Sequence, residues 1–202
     1  DLIDSLNETH QVGVVEFHRP DEPPALLHEF TTYKNAAKEA IDNFSYGKIY
    51  RDFSSCWDAV QTGLKQFPEK PDPNVFKTLA FLSDGFDNSS FNTPDDVIAL
   101  AKERDVHIYA LGIGSGKEEK VLETIALETG GTYVHSENIN VLRERFKQII
   151  KDIIGQYKIK YITPKKPDDD RFVVEIEITY KGVTGTPLLH EEIDPSSIFR
   201  KT

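Results

Sequence analysis

Short apolar segments alternate with amphipathic segments along most of this sequence, and that alternation limits the possible folds more than any other feature. We expect one sheet to contain the apolar runs at 12–17, 79–83, 106–112 and 132–135, with a weaker strand at 25–30. Segments between these runs, and the stretch 139–154, show the three- and four-residue apolar spacing of helices. Strands that alternate with helices pair in parallel through right-handed crossovers. The sequence therefore predicts an α/β fold with a doubly wound, mostly parallel sheet and helices on both faces.

Capping residues locate several helix starts. Thr93 is followed by a proline and by Asp96, so a cap, a proline at the first helical position and an acid in the first turn occur together. Thr31–Thr32 is expected to cap a helix over 34–44. Ser54 is expected to cap the next helix, which carries apolar residues at helical spacing.

The pattern changes after residue 155. Apolar and polar residues alternate one by one over Tyr157–Tyr161 and Phe172–Tyr180, which is typical of half-buried strands. We therefore divide the chain into an α/β domain at 1–156 and an antiparallel β appendage at 157–202. The tail from Thr184 has weak periodicity, and we expect it to be partly disordered or paired with a segment outside this sequence.

One predicted strand delivers a carboxylate to its carboxyl end. The apolar run Leu79–Leu82 ends abruptly in Ser83, Asp84 and Gly85, and a polar loop follows that contains Asp87, Asn88, Ser89 and Ser90. Ligands of open α/β sheets bind at this end of the strands, and the loop supplies further oxygen atoms and hydrogen-bond donors. Asp84 is therefore a candidate functional residue. The alternative is a simple turn with a solvated aspartate.

The composition excludes several classes of function. The formal charge of -10 argues against nucleic acid as a partner, because phosphate backbones are bound by basic patches. A divalent cation or a basic protein surface suits this charge better. No apolar run approaches the roughly 20 residues of a membrane helix, and no signal-peptide pattern opens the sequence. The single cysteine, Cys56, excludes an internal disulfide and is expected in the core.

Four local motifs occur in a definite order along residues 1 to about 156, at Leu2–Phe17, Leu82–Gly85, Val106–Gly114 and Thr129–Tyr133. Each motif is only moderately specific, but together and in this order they resemble the von Willebrand factor type A domain. The resemblance implies a Rossmann-like fold and a non-catalytic module that recognises proteins. It also implies an adhesion role and an extracellular or extracytoplasmic location.

The resemblance further implies a metal-ion-dependent adhesion site. In the family, an Asp-x-Ser-x-Ser loop, a threonine and an aspartate hold Mg²⁺ or Mn²⁺, and a carboxylate of the partner completes the shell. Asp84 matches the family's aspartate, and Ser54 falls where the threonine is expected. Serine keeps the hydroxyl oxygen and loses the methyl group. We therefore expect Asp84 and Ser54 to approach each other as ligands of Mg²⁺ or Mn²⁺, with a protein partner that contributes an acidic side chain.

The Asp-x-Ser-x-Ser loop is not found in these residues. In the family it follows a central strand, just upstream of the helix that ends here at about Leu6. One carboxylate and one hydroxyl hold Mg²⁺ weakly, and removal of a central strand would leave the ladder groups of both neighbours unpaired. We therefore expect about 20 to 30 further residues upstream. Loss of this strand with compensation by a C-terminal strand is the alternative.

A second hypothesis concerns the glycine-rich segment Gly112–Lys117, which follows a predicted strand. Backbone amides and a helix N-terminus at such a place bind phosphate, so this segment indicates a phosphate- or nucleotide-binding enzyme domain. Its spacing matches neither the P-loop nor the full dinucleotide motif, and tight packing between strand and helix explains the glycines more simply. No nucleophile elbow or catalytic carboxylate pair is recognisable. We therefore favour the non-catalytic module.

Overall fold

The computed structural model describes residues 2–17, 24–44, 54–70, 72, 74–83, 87–113 and 119–154, and the backbone of four short strands between 172 and 193. The chain divides into two compact units, Asp1–Gln156 and Tyr157–Thr202. Within the described residues, every helix is too short or too polar to cross a membrane.

Helices and strands alternate through the first unit as the periodicity predicts. In chain order they are α1 (Leu2–Ser5), β1 (Val12–Glu16), β2 (Ala25–Thr31), α2 (Lys34–Asp42), α3 (Cys56–Gln66), β3 (Lys77–Ser83), α4 (Pro94–Arg104), β4 (Val106–Ile113), α5 (Glu119–Glu128), β5 (Tyr133–Ser136) and α6 (Ile139–Ile154). The predicted bounds of α6 agree with the structure, and those of the strands agree to within two residues. These elements of the α/β domain are therefore confirmed.

Three of the four strands that were expected in one sheet do share one. β3, β4 and β5 form a parallel sheet, while β1 pairs antiparallel with β2 in a separate two-stranded sheet. A Cβ atom at Gly63 of α3 would lie 2.9 Å from a methyl carbon of Leu79 in β3 and 3.9 Å from one of Val15 in β1. Helix α3 thus lies over both strands. Neighbouring strands of one sheet lie about 4.8 Å apart, and no described strand pairs with both β1 and β3. Within the described residues, the prediction that β1 belongs to this sheet was therefore wrong.

Helices cover both faces of the three-stranded sheet. One core cluster joins α3, α4 and α5 to one face of β3 and β4, and its innermost members are Leu64, Val97, Ile108, Leu122 and Ile125. A second cluster packs Leu142 and Ile149 of α6 against Tyr109 and Leu111 on the opposite face of β4. This two-sided burial is the doubly wound arrangement that the apolar strands required.

The expectation that every parallel strand is covered on both faces was wrong for β3. Leu82 pairs in register with Leu111 of β4, so the two leucines lie side by side on one face of the sheet. Leu111 is 4% exposed beneath α6, whereas Leu82 is 52% exposed. The difference arises because α6 reaches across β4 and β5 and, among the described residues, nothing covers this part of β3.

Capping explains where some helices begin, and it corrects two predictions. Thr93 accepts a hydrogen bond from the Asp96 amide, and Asp96 accepts one from the Thr93 amide, so the predicted cap of α4 is confirmed as a capping box. The predicted caps at Thr31–Thr32 and Ser54 were wrong. The N-cap residues are Tyr33 for α2 and Ser55 for α3, and neither makes a capping side-chain bond. In α2, Thr31 instead accepts a bond from the Tyr33 amide before the helix starts.

At the edge of the sheet where β3 begins, long basic side chains donate hydrogen bonds to carbonyls at the C-terminal ends of helices. The Arg104 guanidinium donates to the backbone oxygens of Leu64, Lys65 and Phe67 at the end of α3. Lys77, which is 3% exposed, donates through its ammonium to the Arg104 carbonyl at the end of α4. These contacts supply partners for carbonyls that a helix C-terminus leaves without intrahelical bonds.

The second unit contains antiparallel strands, but not all of them where they were expected. β6 (Phe172–Glu175) pairs with β9 (His190–Ile193), and β7 (Thr179–Tyr180) pairs with β8 (Val183–Thr184). In the tail, β9 pairs with β6 of the same chain, so this strand does not need the partner outside the sequence that was one of the two expectations. The alternation of apolar and polar residues in the tail is too short to be recognised in the sequence. The strand there is set by its pairing with β6. The predicted strand Tyr157–Tyr161 lies outside the described residues.

Candidate functional site

The N-terminal end of α3 meets the loop that follows β3. Strand β3 ends at Ser83, the description resumes at Asp87, and α4 starts at Pro94. Because β3 and β4 run in parallel, this loop lies at the carboxyl edge of the sheet, where ligands of doubly wound folds bind. We call residues 87–92 the β3 loop.

Ser54 is joined to the β3 loop through its backbone. Its amide donates to Oδ1 of Asn88 at 2.9 Å, and its carbonyl accepts from the amides of Asn88 and Ser89 at 3.1 Å each. Its hydroxyl oxygen lies 3.0 Å from Sγ of Cys56, which in turn lies 3.2 Å from the hydroxyl oxygen of Ser83. The expectation that Cys56 is a core residue is confirmed, since it is fully buried. The thiol thus links Ser54 to the last residue of β3.

The loop also supplies the cap that α3 lacks within its own segment. The Asp87 carboxylate accepts from the Trp57 amide at 3.2 Å and from the Ser90 hydroxyl at 2.6 Å. The Ser90 hydroxyl oxygen accepts in turn from the Asp58 amide at 3.1 Å. These amides belong to the first turn of α3, which has no intrahelical acceptors, and a carboxylate there is favoured by the helix dipole. Asp87 and Ser90 therefore act as a tertiary cap for α3, whose N-cap residue, Ser55, makes no capping side-chain bond.

Asp58 is a structural residue of this site that the sequence analysis missed. Its carboxylate accepts from the Phe91 amide at 3.1 Å, from the Asn92 amide at 2.9 Å and from the Asn92 side-chain amide at 2.6 Å. An acid in the first turn of a helix ordinarily indicates an interaction with the helix dipole. The sequence offered little signal for this role, because the polar loop that Asp58 binds lies more than thirty positions further along the chain. Asp58 therefore fixes the second half of the β3 loop.

The far end of the loop leads directly into α4. Phe91 is 97% exposed, although its backbone amide is bound to Asp58. Two residues later the capping box begins, where hydrogen bonds from the Thr93 hydroxyl and then from its amide lower the pKa of Asp96. The loop is thus held at both ends, by α3 and by the start of α4.

Of the two predicted metal ligands, the structure describes Ser54 but not Asp84. Ser54 lies at the carboxyl edge, is half-buried and contacts residues on both sides of Asp84 in the sequence, namely Ser83 through Cys56, and Asn88 directly. Asp84 itself lies outside the described residues, so its distance from Ser54 stays a prediction. Asp87 and Asn88, which were considered as oxygen donors, use those oxygens to hold α3 and Ser54. Within the described ranges, no group of three His, Cys, Asp or Glu side chains is placed to hold a metal ion.

The glycine-rich segment is described only at its start. A Cβ atom at Gly112 would lie 2.6 Å from the hydroxyl oxygen of Tyr133, so a larger residue would require the tyrosine side chain to shift. Burial, and then Glu119 and Glu123, raise the pKa of that tyrosine. Close packing of β4 against β5 therefore accounts for Gly112, in line with the simpler explanation. Residues 114–118 lie outside the described part of the chain.

Helices on both faces of a parallel sheet, with polar loops joined at its carboxyl edge, define a doubly wound α/β domain. The sequence matches the model of the family described as von Willebrand factor type A domain over residues 1–148. The chain belongs to this family, as its motifs predicted. Domains of this family are in general interaction modules without catalytic activity.

Solved structures support the fold. BatB from Bacteroides thetaiotaomicron, a conserved hypothetical protein, is 18% identical with a TM-score of 0.59, over 77% of this chain and 84% of that one. Proximal thread matrix protein 1 from the mussel byssus is 23% identical with a TM-score of 0.62, over 76% of this chain and 38% of that one. A von Willebrand factor type A protein from Catenulispora acidiphila is 21% identical with a TM-score of 0.59, over 76% and 36%. A search of curated proteins gives no match.

Proposed function

We propose that this domain binds a protein partner at the carboxyl edge of the β3–β4–β5 sheet, without catalysing a reaction. The observation that carries the proposal is the junction between α3 and the β3 loop. There the backbone of Ser54 makes three hydrogen bonds to Asn88 and Ser89, at the end of β3 where a doubly wound fold binds its ligands. Membership of an interaction family agrees with this assignment.

We propose further that Asp84 and Ser54 hold Mg²⁺ or Mn²⁺ at this edge. Both cations prefer carboxylate and hydroxyl oxygens, and the Ser54 backbone is bonded to Asn88, which follows Asp84 by four positions in the sequence. A bound cation with few protein ligands offers an open position to a carboxylate of the partner. The residues of this chain would position that carboxylate by fixing the β3 loop against α3. An adhesion role and an extracellular or extracytoplasmic location belong to the same proposal.

The test first selects peptide ligands with the whole chain, so that no particular partner has to be assumed. A displayed library of random peptides is panned on the immobilised protein in Mg²⁺, and the affinity of selected peptides is measured by fluorescence anisotropy. We expect the peptides to contain Asp or Glu, and we expect EDTA or Asp84→Ala to weaken binding by about 10-fold or more, the loss of roughly one charge-assisted contact. Glu103→Ala, which removes an exposed acid at the opposite end of α4, is the matched control and should leave the affinity unchanged. Equal affinity in Mg²⁺, in EDTA and for Asp84→Ala would contradict the metal-dependent mechanism.

A further inference from the structure

Phe91 combines extreme exposure with a fixed position. At 97% it is the most exposed large apolar side chain in the described part of the chain, and Tyr33 follows at 79%. A single exposed apolar residue is ordinary on a protein surface. What sets Phe91 apart is the backbone beneath it, since its amide and both amide groups of Asn92 donate to the carboxylate of Asp58.

This anchoring lowers the cost of using Phe91 in binding. A contact residue on a mobile loop loses conformational freedom when a partner covers it, whereas a residue on a fixed loop loses little. The loop is fixed on both sides, because Asp87 and Ser90 bond to the first turn of α3 and Thr93 begins the capping box of α4. A rigidly presented aromatic ring is the kind of residue that dominates interface energies.

The charge around Phe91 indicates what flanks the complementary surface. The segment from Thr78 to Ala101 contains four aspartates and neither lysine nor arginine. Asp95 and Asp96 are exposed in the first turn of α4, four and five positions after Phe91. Lysine or arginine beside an apolar contact would complement these charges and speed association.

We propose that Phe91 is the apolar anchor of the partner-binding surface, and that the partner segment covering it carries aliphatic or aromatic side chains next to lysine or arginine. This inference rests on the proposed function, because it takes the carboxyl edge of β3 as the docking edge. It adds a residue and a partner chemistry that do not involve the metal.

The peptides selected in the experiment above provide the test. We expect Phe91→Ala to weaken their binding by about 30-fold, as at other interface hot spots, and Phe91→Leu to weaken it less. Asp58→Ala leaves the ring in place but releases the loop, and we expect an intermediate loss. Amide hydrogen exchange at Phe91 and Asn92 should then quicken, which shows that the loop has been released. Circular dichroism establishes that each variant is folded.

Tyr33→Ala is the matched control, because Tyr33 is also an exposed aromatic residue but lies at the opposite end of α3. Phe30, three residues before it, packs on Phe67 at the C-terminus of that helix, with ring centres 4.9 Å apart. We expect Tyr33→Ala to leave peptide binding unchanged. Equal affinity of the wild type and Phe91→Ala, or selected peptides without apolar residues, would overturn the anchor.

The outcomes separate this inference from the metal-dependent mechanism. If EDTA and Asp84→Ala weaken binding while Phe91→Ala does not, the anchor is overturned and the proposed function stands. If Phe91→Ala weakens binding while EDTA and Asp84→Ala do not, the anchor stands and the metal mechanism fails. A library that yields no binding peptide overturns both.

Discussion

Each end of α3 has backbone groups without intrahelical partners, and different kinds of residue bond to them at the two ends. At the N-terminal end, Asp87 and Ser90 accept hydrogen bonds from amides of the first turn. At the C-terminal end, one long side chain, that of Arg104, donates to the carbonyls of Leu64, Lys65 and Phe67. Both arrangements complement the helix dipole. The N-terminal end, however, uses several short side chains from one loop, so satisfying the helix also fixes that loop.

The difference assigns separate roles to the two edges of the sheet. At the edge of Arg104 and Lys77, the Lys77 side chain is buried and Phe30 packs on Phe67. The edge at the β3 loop presents the half-buried Ser54 and the exposed Phe91 on a fixed backbone. We infer that the first edge mainly stabilises the domain and the second mainly recognises a ligand. Substitutions at the two ends should therefore affect different measurements.

The largest effect on stability is expected from Arg104→Ala. This change leaves the carbonyls of Leu64, Lys65 and Phe67 without their charged donor, and hydrogen bonds to charged groups contribute about 1.5 to 3 kcal/mol each to stability. Since the three bonds share one guanidinium, we expect a total loss of about 2 to 3 kcal/mol in the free energy of unfolding, measured with urea.

Lys102→Ala is the control for Arg104→Ala, because it removes a basic residue of the same helix turn. Lys102 pairs with Glu128, but both side chains are about half exposed, so the expected loss is below about 1 kcal/mol. Peptide binding should be unchanged in both variants. A loss of binding in Arg104→Ala at temperatures where the protein is folded would contradict the division between the two ends.

Asp87→Ala should act on both stability and binding. It removes the acceptor of the Trp57 amide and of the Ser90 hydroxyl, and we expect a loss of about 1 to 2 kcal/mol in unfolding free energy. Amide exchange of Trp57 should quicken and peptide binding should weaken, whereas exchange at Phe67 should stay slow. An Asp87→Ala variant with lower stability and unchanged exchange at Trp57 would show that the tertiary cap is not what this residue contributes.

Thr93→Ala tests the weaker attachment at the start of α4. Loss of a threonine cap costs about 1 kcal/mol. The pKa of Asp96 is lowered in the fold by its bonds from Thr93, so the box contributes stability above the ordinary carboxyl pKa and loses it as pH falls through the lowered value. The difference between wild type and Thr93→Ala should therefore shrink below about pH 4. A difference that is constant from neutral to acid pH would exclude the Asp96 half of the box.

Local patterns in the sequence predicted the elements well and their tertiary partners poorly. The periodicity over 139–154 and the sequence around Thr93 predicted α6 and the α4 cap, because the forces involved act within a few residues. Asp58 and Asp87 could not be assigned, since their partners lie about thirty positions away along the chain. The two leucines Leu82 and Leu111 illustrate the same limit. Both lie in apolar runs, and only the position of α6 decides which one is buried.

The two predicted site residues came from different signals in the sequence. Asp84 was named because it follows an apolar run and precedes a polar loop, and Ser54 because it stands where the family has its threonine. The structure places Ser54 at the carboxyl edge. The exposure of Phe91 had no signal in the sequence, since phenylalanine is among the residue types most often buried. Its backbone is held by bonds to Asp58, and only the fold brings these two residues together.

The most direct test of the site is a titration of the isotope-labelled full chain with Mn²⁺, followed by nuclear magnetic resonance. Paramagnetic broadening reports which amides lie near the bound ion. We predict the strongest broadening at Ser54, Asn88 and Ser89, much weaker broadening at Thr31 and Phe67, and loss of this pattern in Asp84→Ala. Broadening that is centred on the Phe67 end, or that persists unchanged in Asp84→Ala, would contradict a metal-assisted binding site at the carboxyl edge.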